Sequence, residues 1–110
     1  MAPANKMDRA IVIGEYGGVG FPVTGHLWDA QKRNWGYQTY QTQPEFEAAL
    51  RKKLKALIPM RRDLGLSAAV YTQTTDVEGE VNGFLTYDRK EAKIAPESLR
   101  EINRRLIATP

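Results

Sequence analysis

Apolar and polar positions divide the chain into five patterned segments, with two long unpatterned ones between them. Residues 10–14 form a short continuous apolar run that stops at turn signals, which predicts a strand buried on both faces. Phe46, Leu50, Leu54, Leu57 and Ile58 recur at helical spacing, and Lys52, Lys53 and Lys55 take the other face. Thr42-Gln-Pro-Glu45 fits a capping box, with Pro44 in the first turn. Pro59 is expected to end or kink this helix, and Asp63-Leu-Gly65 to close it. Residues 66–71 form a second buried strand with small side chains in its middle. Residues 84–87 read as a short extended piece. Pro96 then opens a last helix whose apolar stripe is Leu99, Ile102, Leu106 and Ile107.

The unpatterned segments are as informative. Residues 1–9 lack periodicity and read as a loop or truncated linker. Between Tyr16 and Thr42 no period stands out, yet the stretch holds Gly17, Gly18, Gly20, Gly25, Gly36 and, besides Phe21, five aromatic or imidazole side chains with a polar handle. Those are His26, Trp28, Trp35, Tyr37 and Tyr40. A loop of this length in a small domain is usually functional or disordered, and so many aromatics argue against disorder. Residues 73–83 form a second, polar loop. The order is strand, loop, helix, strand, loop, helix, which implies parallel strands joined by a right-handed crossover. Two such units make a poor independent domain, since each strand wants neighbours on both edges. The chain therefore reads as α/β, a slice of a larger sheet or barrel, with a tendency to oligomerise or to stay partly molten in isolation.

Composition adds bounds. A chain of 110 residues is enough for one small domain. Its 42% hydrophobic and 26% charged content is ordinary, and a net charge of +3 neither demands nor excludes an anionic partner. The absence of cysteine removes disulfides and thiolate metal sites. No apolar run is long enough to span a bilayer, and the polar start lacks the apolar middle of a signal peptide, which makes the cytoplasm the default expectation.

The sharpest candidate is Glu15, a lone carboxylate at the downstream end of an apolar strand. In barrels and open parallel sheets that end carries the chemistry; the alternative is a strand-end Glu that meets water or an Arg. The glycines after it lack the third glycine of a dinucleotide fingerprint and the Gly-Lys-Ser/Thr of a phosphate loop, so they serve better to turn the backbone tightly beside Glu15. Trp28, Trp35, Tyr37 and Tyr40 either fill core or offer flat faces to sugar rings. His26 either bonds a substrate hydroxyl or satisfies backbone groups. Asp76, Glu78 and Glu80 alternate as in a calcium loop, but the central glycine and final Glu are missing, leaving a solvated acidic rim or a sugar-hydroxyl site. The basic pairs at 52–53, 61–62 and 104–105 lie mainly opposite apolar stripes and apart from the aromatics, unlike a nucleic-acid footprint.

The motifs taken together resemble a known family. Ile13-Gly-Glu-Tyr-Gly-Gly-Val-Gly20, Pro22-Val-Thr-Gly-His26, Asn34-Trp-Gly-Tyr37, Tyr71-Thr-Gln-Thr-Thr-Asp-Val-Glu78 and Val81-Asn-Gly-Phe-Leu-Thr-Tyr-Asp-Arg89 look like glycoside hydrolase family two, the β-galactosidase, β-glucuronidase and β-mannosidase group. The resemblance runs from about residue 9 to 105. It implies that residues 10–110 are a partial catalytic domain, the seventh and eighth βα units of a (β/α)₈ TIM barrel. Glu15 matches the family's nucleophile, and Tyr71-Thr-Gln73 the end of the eighth strand, where relatives often carry a Trp. Tyr16, His26, Trp28, Trp35, Tyr71, Gln73, Asp76 and Glu78 would line the sugar site. The family's acid/base, a Glu following Asn at the end of the fourth strand, has no counterpart here. The resemblance thus implies a carbohydrate substrate, dependence on the remainder of the barrel or a longer parent chain, no cofactor or metal, and no nucleic-acid or membrane partner. The alternative is a non-catalytic carbohydrate-binding or interaction remnant.

Overall fold

A computed structural model describes residues 8–109, so most of the expected lead-in at 1–9 lies outside the described residues; Asp8 and Arg9 are an exposed turn. Strand β1 (Ile11–Gly17) is followed by two short strands, β2 (Val19–Gly20) and β3 (Gln38–Thr39). Helices α1 (Gln43–Lys55) and α2 (Leu57–Leu64), strand β4 (Leu66–Thr72) and helix α3 (Pro96–Ala108) complete the order.

The helix signals act as their chemistry dictates. Thr42 caps α1 by accepting from the Glu45 N–H, while its hydroxyl donates to the Glu45 carboxylate at 2.6 Å. Pro59 breaks the helix upstream of itself: α1 stops at Ala56 and α2 restarts with Pro59 in its first turn, where the missing N–H has no intrahelical duty. Gly65 closes α2 at φ +74°, and its N–H bonds to the Met60 carbonyl.

Phe46, Leu50 and Leu54 form the buried face of α1 and meet Ile11, Val19, Leu57, Leu66, Ile94 and Ile102 in one core. Each such side chain contributes about 1.5–3 kcal/mol on burial. Of the stripe expected on α3, Ile102 is buried, Leu99 and Leu106 are partly covered, and Ile107 stands in solvent.

β1 and β4 pair in parallel, as the alternation of strand and helix requires. Three other expectations are overturned. First, the strands are not buried on both faces. Val12 is 48% and Val70 54% exposed, because helices cover one side of the pair only. Second, the fold class and the domain built on it need correction. The described residues form two separate two-stranded parallel sheets, β1–β4 and β2–β3, with three helices, and a chain this small does not make up two units of a TIM barrel. The β2–β3 sheet arises inside the stretch expected to be loop: Tyr37 and Tyr40 donate their backbone N–H groups to Gly18 and Gly20. Third, the short extended piece expected at 84–87 reduces to isolated bridges at Leu85, which faces both Thr75 and Ala92.

The polar loop is pinned at its base by a buried ion pair. Lys93 Nζ donates to Asp76 Oδ1 at 2.7 Å and to the Val81 carbonyl at 3.0 Å, and the Gly83 N–H reaches the same Asp76 oxygen at 2.8 Å. Among the described residues no helix is long and apolar enough to cross a membrane.

Candidate functional site around Glu15

Glu15 owes its position to a break in strand register. Ile13 faces Ala69 and Tyr16 faces Tyr71, so β1 advances three residues where β4 advances two. That is a bulge at Gly14–Glu15, and it reverses the alternation. Ile11, Ile13 and Tyr16 all pack toward the core, while Glu15 leaves the helix-covered face and is exposed. The carboxylate at the strand end is therefore solvated, as in the alternative reading of a strand-end Glu that meets water.

Two glycines finish the turn. Gly17 and Gly18 have φ of +98° and +67°, a region L residues rarely adopt. A Cβ on Gly17 would overlap the Tyr71 ring, and one on Gly18 would overlap the Tyr37 ring. Each glycine is thus the seat of one tyrosine, and the Gly18 N–H joins this bend to β4 through the Thr72 carbonyl at 3.0 Å.

Seated on Gly18, Tyr37 extends its hydroxyl to Glu15 Oε1, a long contact of 3.4 Å. The Glu15 charge raises the Tyr37 pKa above its ordinary value, and the charge of Glu80 adds to that rise. Trp35 lies edge-on to Tyr37, with ring centroids 6.3 Å apart. The backbone of Trp35 bonds the second loop on both sides: its N–H donates to Gly79 and its carbonyl accepts from Val81, each at 2.7 Å. Glu80 is in turn clasped by amides. Gln73 Nε2 donates to Glu80 Oε1 at 3.0 Å and to Asn82 Oδ1 at 2.8 Å, and Asn82 Nδ2 donates to Glu80 Oε2 at 3.3 Å. Glu15, Tyr37, Trp35, Glu80, Gln73 and Asn82 form one continuous chain of contacts with two exposed aromatic rings.

The other predicted residues lie elsewhere. Tyr16 and Tyr71 meet edge-to-face at 5.3 Å beneath the bend, and Tyr71 stacks on Phe84 at 4.2 Å. Burial pushes the Tyr16 phenol up to about 12 and that of Tyr71 higher still. The Tyr71 hydroxyl lies beside the Val19 backbone but makes no well-formed hydrogen bond. Asp76 is buried in its ion pair, and Glu78 is exposed on the turn at φ +52°. His26 and Trp28 form a second group: His26 Nδ1 bonds Asp88 Oδ2 at 2.8 Å, Asp88 Oδ1 accepts from Thr86 at 2.6 Å, and Trp28 stands edge-on to Tyr87.

Among the residues predicted for the site, Glu15, Trp35 and Gln73 belong to the contact chain. Tyr37 and Glu80, candidates by residue type but not among those the resemblance assigns to the sugar site, belong to it too, as does Asn82. Their signal was present: Tyr37 and Glu80 share motifs with chosen neighbours, and Asn82-Gly83 marks a tight turn at the end of the acidic loop. Among the described residues no group of three or more His, Cys, Asp or Glu is placed to hold a metal. No protein-family model and no curated protein matches the chain.

Proposed function

We propose that the chain carries the nucleophile side of a retaining β-glycosidase site of β-galactosidase type, with Glu15 as nucleophile. The observation that carries this reading is the solvated Glu15 carboxylate beside two exposed aromatic rings, Tyr37 and Trp35. Flat apolar ring faces suit sugars, and a carboxylate with no cationic partner suits attack on an anomeric carbon. In the first step a Glu15 oxygen bonds to C1 and the C1–O bond to the aglycone breaks. The aglycone oxygen leaves with the bonding pair and takes a proton from a carboxylic acid. In the second step water adds its oxygen to C1, gives its proton to the now ionised acid/base, and the C1–O bond of the ester breaks to regenerate the Glu15 carboxylate. The acid/base comes from a longer parent polypeptide or another chain, so the 110 residues alone do not turn over. The resemblance of five ordered motifs to glycoside hydrolase family two supports the same assignment.

A dinitrophenyl 2-deoxy-2-fluoro-β-galactoside tests this directly, because dinitrophenolate departs without protonation and half a dyad suffices. The expected result is a stoichiometric gain of one fluorosugar mass, mapped to Glu15 and lost in Glu15→Gln. An unlabelled Glu15 under conditions that label a known retaining β-galactosidase refutes the nucleophile assignment. The exposed rings by themselves favour the second reading, a non-catalytic carbohydrate-binding remnant. Galactoside binding retained by the chain without any covalent label identifies that alternative.

A further inference from the structure

Glu80 differs from the other acids of its loop. Asp76 is neutralised by Lys93 in the interior, and Glu78 stands on the exposed turn. Glu80 is half-buried, held by one amide N–H on each oxygen, and linked through the Trp35 backbone to the rings beside Glu15. A carboxylate offers about four acceptor directions, so two remain for a ligand. The groups that fit them are donors, and on a sugar these are hydroxyls.

The charge balance sharpens the choice. Among the described residues neither Glu15 nor Glu80 takes part in a salt bridge. Lys93, beneath the same loop, has a fully buried ammonium committed to Asp76 and has none to offer a ligand. A uronic acid would bring a third carboxylate to two uncompensated ones.

We infer that Glu80, clasped by Gln73 and Asn82, is the hydroxyl-binding, specificity-determining carboxylate of the Glu15 site, and that it selects neutral pyranosides over uronides. The inference rests on the glycosidase reading above. It is local: the net charge of the whole chain, +3, neither demands nor excludes an anion. Repulsion between a uronate and these two uncompensated carboxylates of one contact chain corresponds to discrimination of about tenfold.

The test is a pair of titrations of the isotope-labelled full chain with methyl β-galactoside and methyl β-glucuronide at one pH and ionic strength. The Trp35 indole and the side-chain amides of Gln73 and Asn82 are the reporters. The galactoside should shift all three, and the glucuronide should need about tenfold higher concentration. Glu80→Gln, which keeps the side-chain shape, should shrink that ratio toward one. Glu97→Gln, the same loss of charge on α3, should leave it unchanged. Equal binding of the two sugars, or a ratio indifferent to Glu80→Gln in a chain with native dispersion, overturns the inference and leaves the role of Glu15 standing. No shift with either sugar overturns both.

Discussion

The buried Lys93–Asp76 pair offers the most quantitative test of how the site is held. Lys93→Met keeps the length of the stem and removes the ammonium. In the native chain the Lys93 ammonium is fully buried and bonds Asp76 at 2.7 Å and the Val81 carbonyl at 3.0 Å. Burial already pushes the Asp76 carboxyl up, and the hydrogen bond and charge of Lys93 are what oppose that rise. Without them Asp76 keeps only the Gly83 N–H on one oxygen, and its other oxygen already has no partner. An uncompensated buried charge of this kind costs about 3–5 kcal/mol. Domains of this size hold about 5–15 kcal/mol in total, so the variant should be close to unfolding.

Urea unfolding followed by far-ultraviolet circular dichroism measures the loss, with an expected drop in midpoint of more than about 1 M. Its pH dependence has a defined sign. A carboxyl whose folded pKa is raised binds more protons folded than unfolded. Stability therefore falls as pH rises from the unfolded value, 3.8, through the folded one, and the deficit of Lys93→Met should shrink toward acid. The double variant Asp76→Leu/Lys93→Met removes both charges and should be more stable than Lys93→Met alone, although the Gly83 N–H then costs about 1–3 kcal/mol for want of an acceptor. An unchanged midpoint in Lys93→Met, or strictly additive effects in the double variant, refutes the claim that the pair is coupled and dry.

Three further outcomes follow from the same geometry. Gly18→Ala should cost about 2–4 kcal/mol, combining left-handed backbone with overlap on the Tyr37 ring, and should release Tyr37 from Glu15; a Tyr37 phenol titration identical to the native one by absorbance at 295 nm refutes the seating. Glu15→Gln should lower the Tyr37 pKa toward 10.0, and Glu80→Gln should lower it by less, because Glu15 is the larger cause of its rise; the reverse order places the phenol wrongly. Asp88 is held well below the usual carboxylate range by the Thr86 hydroxyl first and His26 next, so the clamp it forms between the two loops is intact above pH 3.8 and is lost as pH falls through the depressed value. Carboxyl carbon shifts should show Asp88 still ionised well below pH 3.8, and protonation at or above 3.8 is the contrary result.

Local rules carried the helices and the strand pairing. Thr42, Pro59 and Gly65 act within a few residues of themselves, and the apolar spacing of Phe46, Leu50 and Leu54 needs only one face to be covered. The layers were less legible. An apolar run such as 10–14 signals a buried strand but not how many faces are covered, and here Val12 and Val70 are open. The resemblance carried a barrel with it, and the two small sheets do not follow it. Asp76 looked like a rim acid because nothing within a few residues could neutralise it; its partner, Lys93, lies 17 residues downstream among apolar neighbours. Pairing across that distance is a property of tertiary packing and leaves no local period.

The bulge explains why Glu15 stands in solvent on a strand whose pattern points it at the core. Strict alternation puts Glu15 on the same side as Ile11 and Ile13, against the helices, where a lone charge would be costly. The residue inserted at Gly14–Glu15 turns the carboxylate out and brings Tyr16 in, so the strand keeps its apolar face and loses the buried charge in one step. A glycine inside a strand is the one local sign of such a step, and Gly14 supplies it. Gly17 and Gly18 then convert the redirected strand into a platform, one tyrosine per glycine, with Tyr71 packed inward and Tyr37 left beside the carboxylate. Three glycines therefore act on Glu15 in sequence: Gly14 releases it from the core, Gly17 anchors the bend to β4 through Tyr71, and Gly18 brings in the phenol whose titration reports on it.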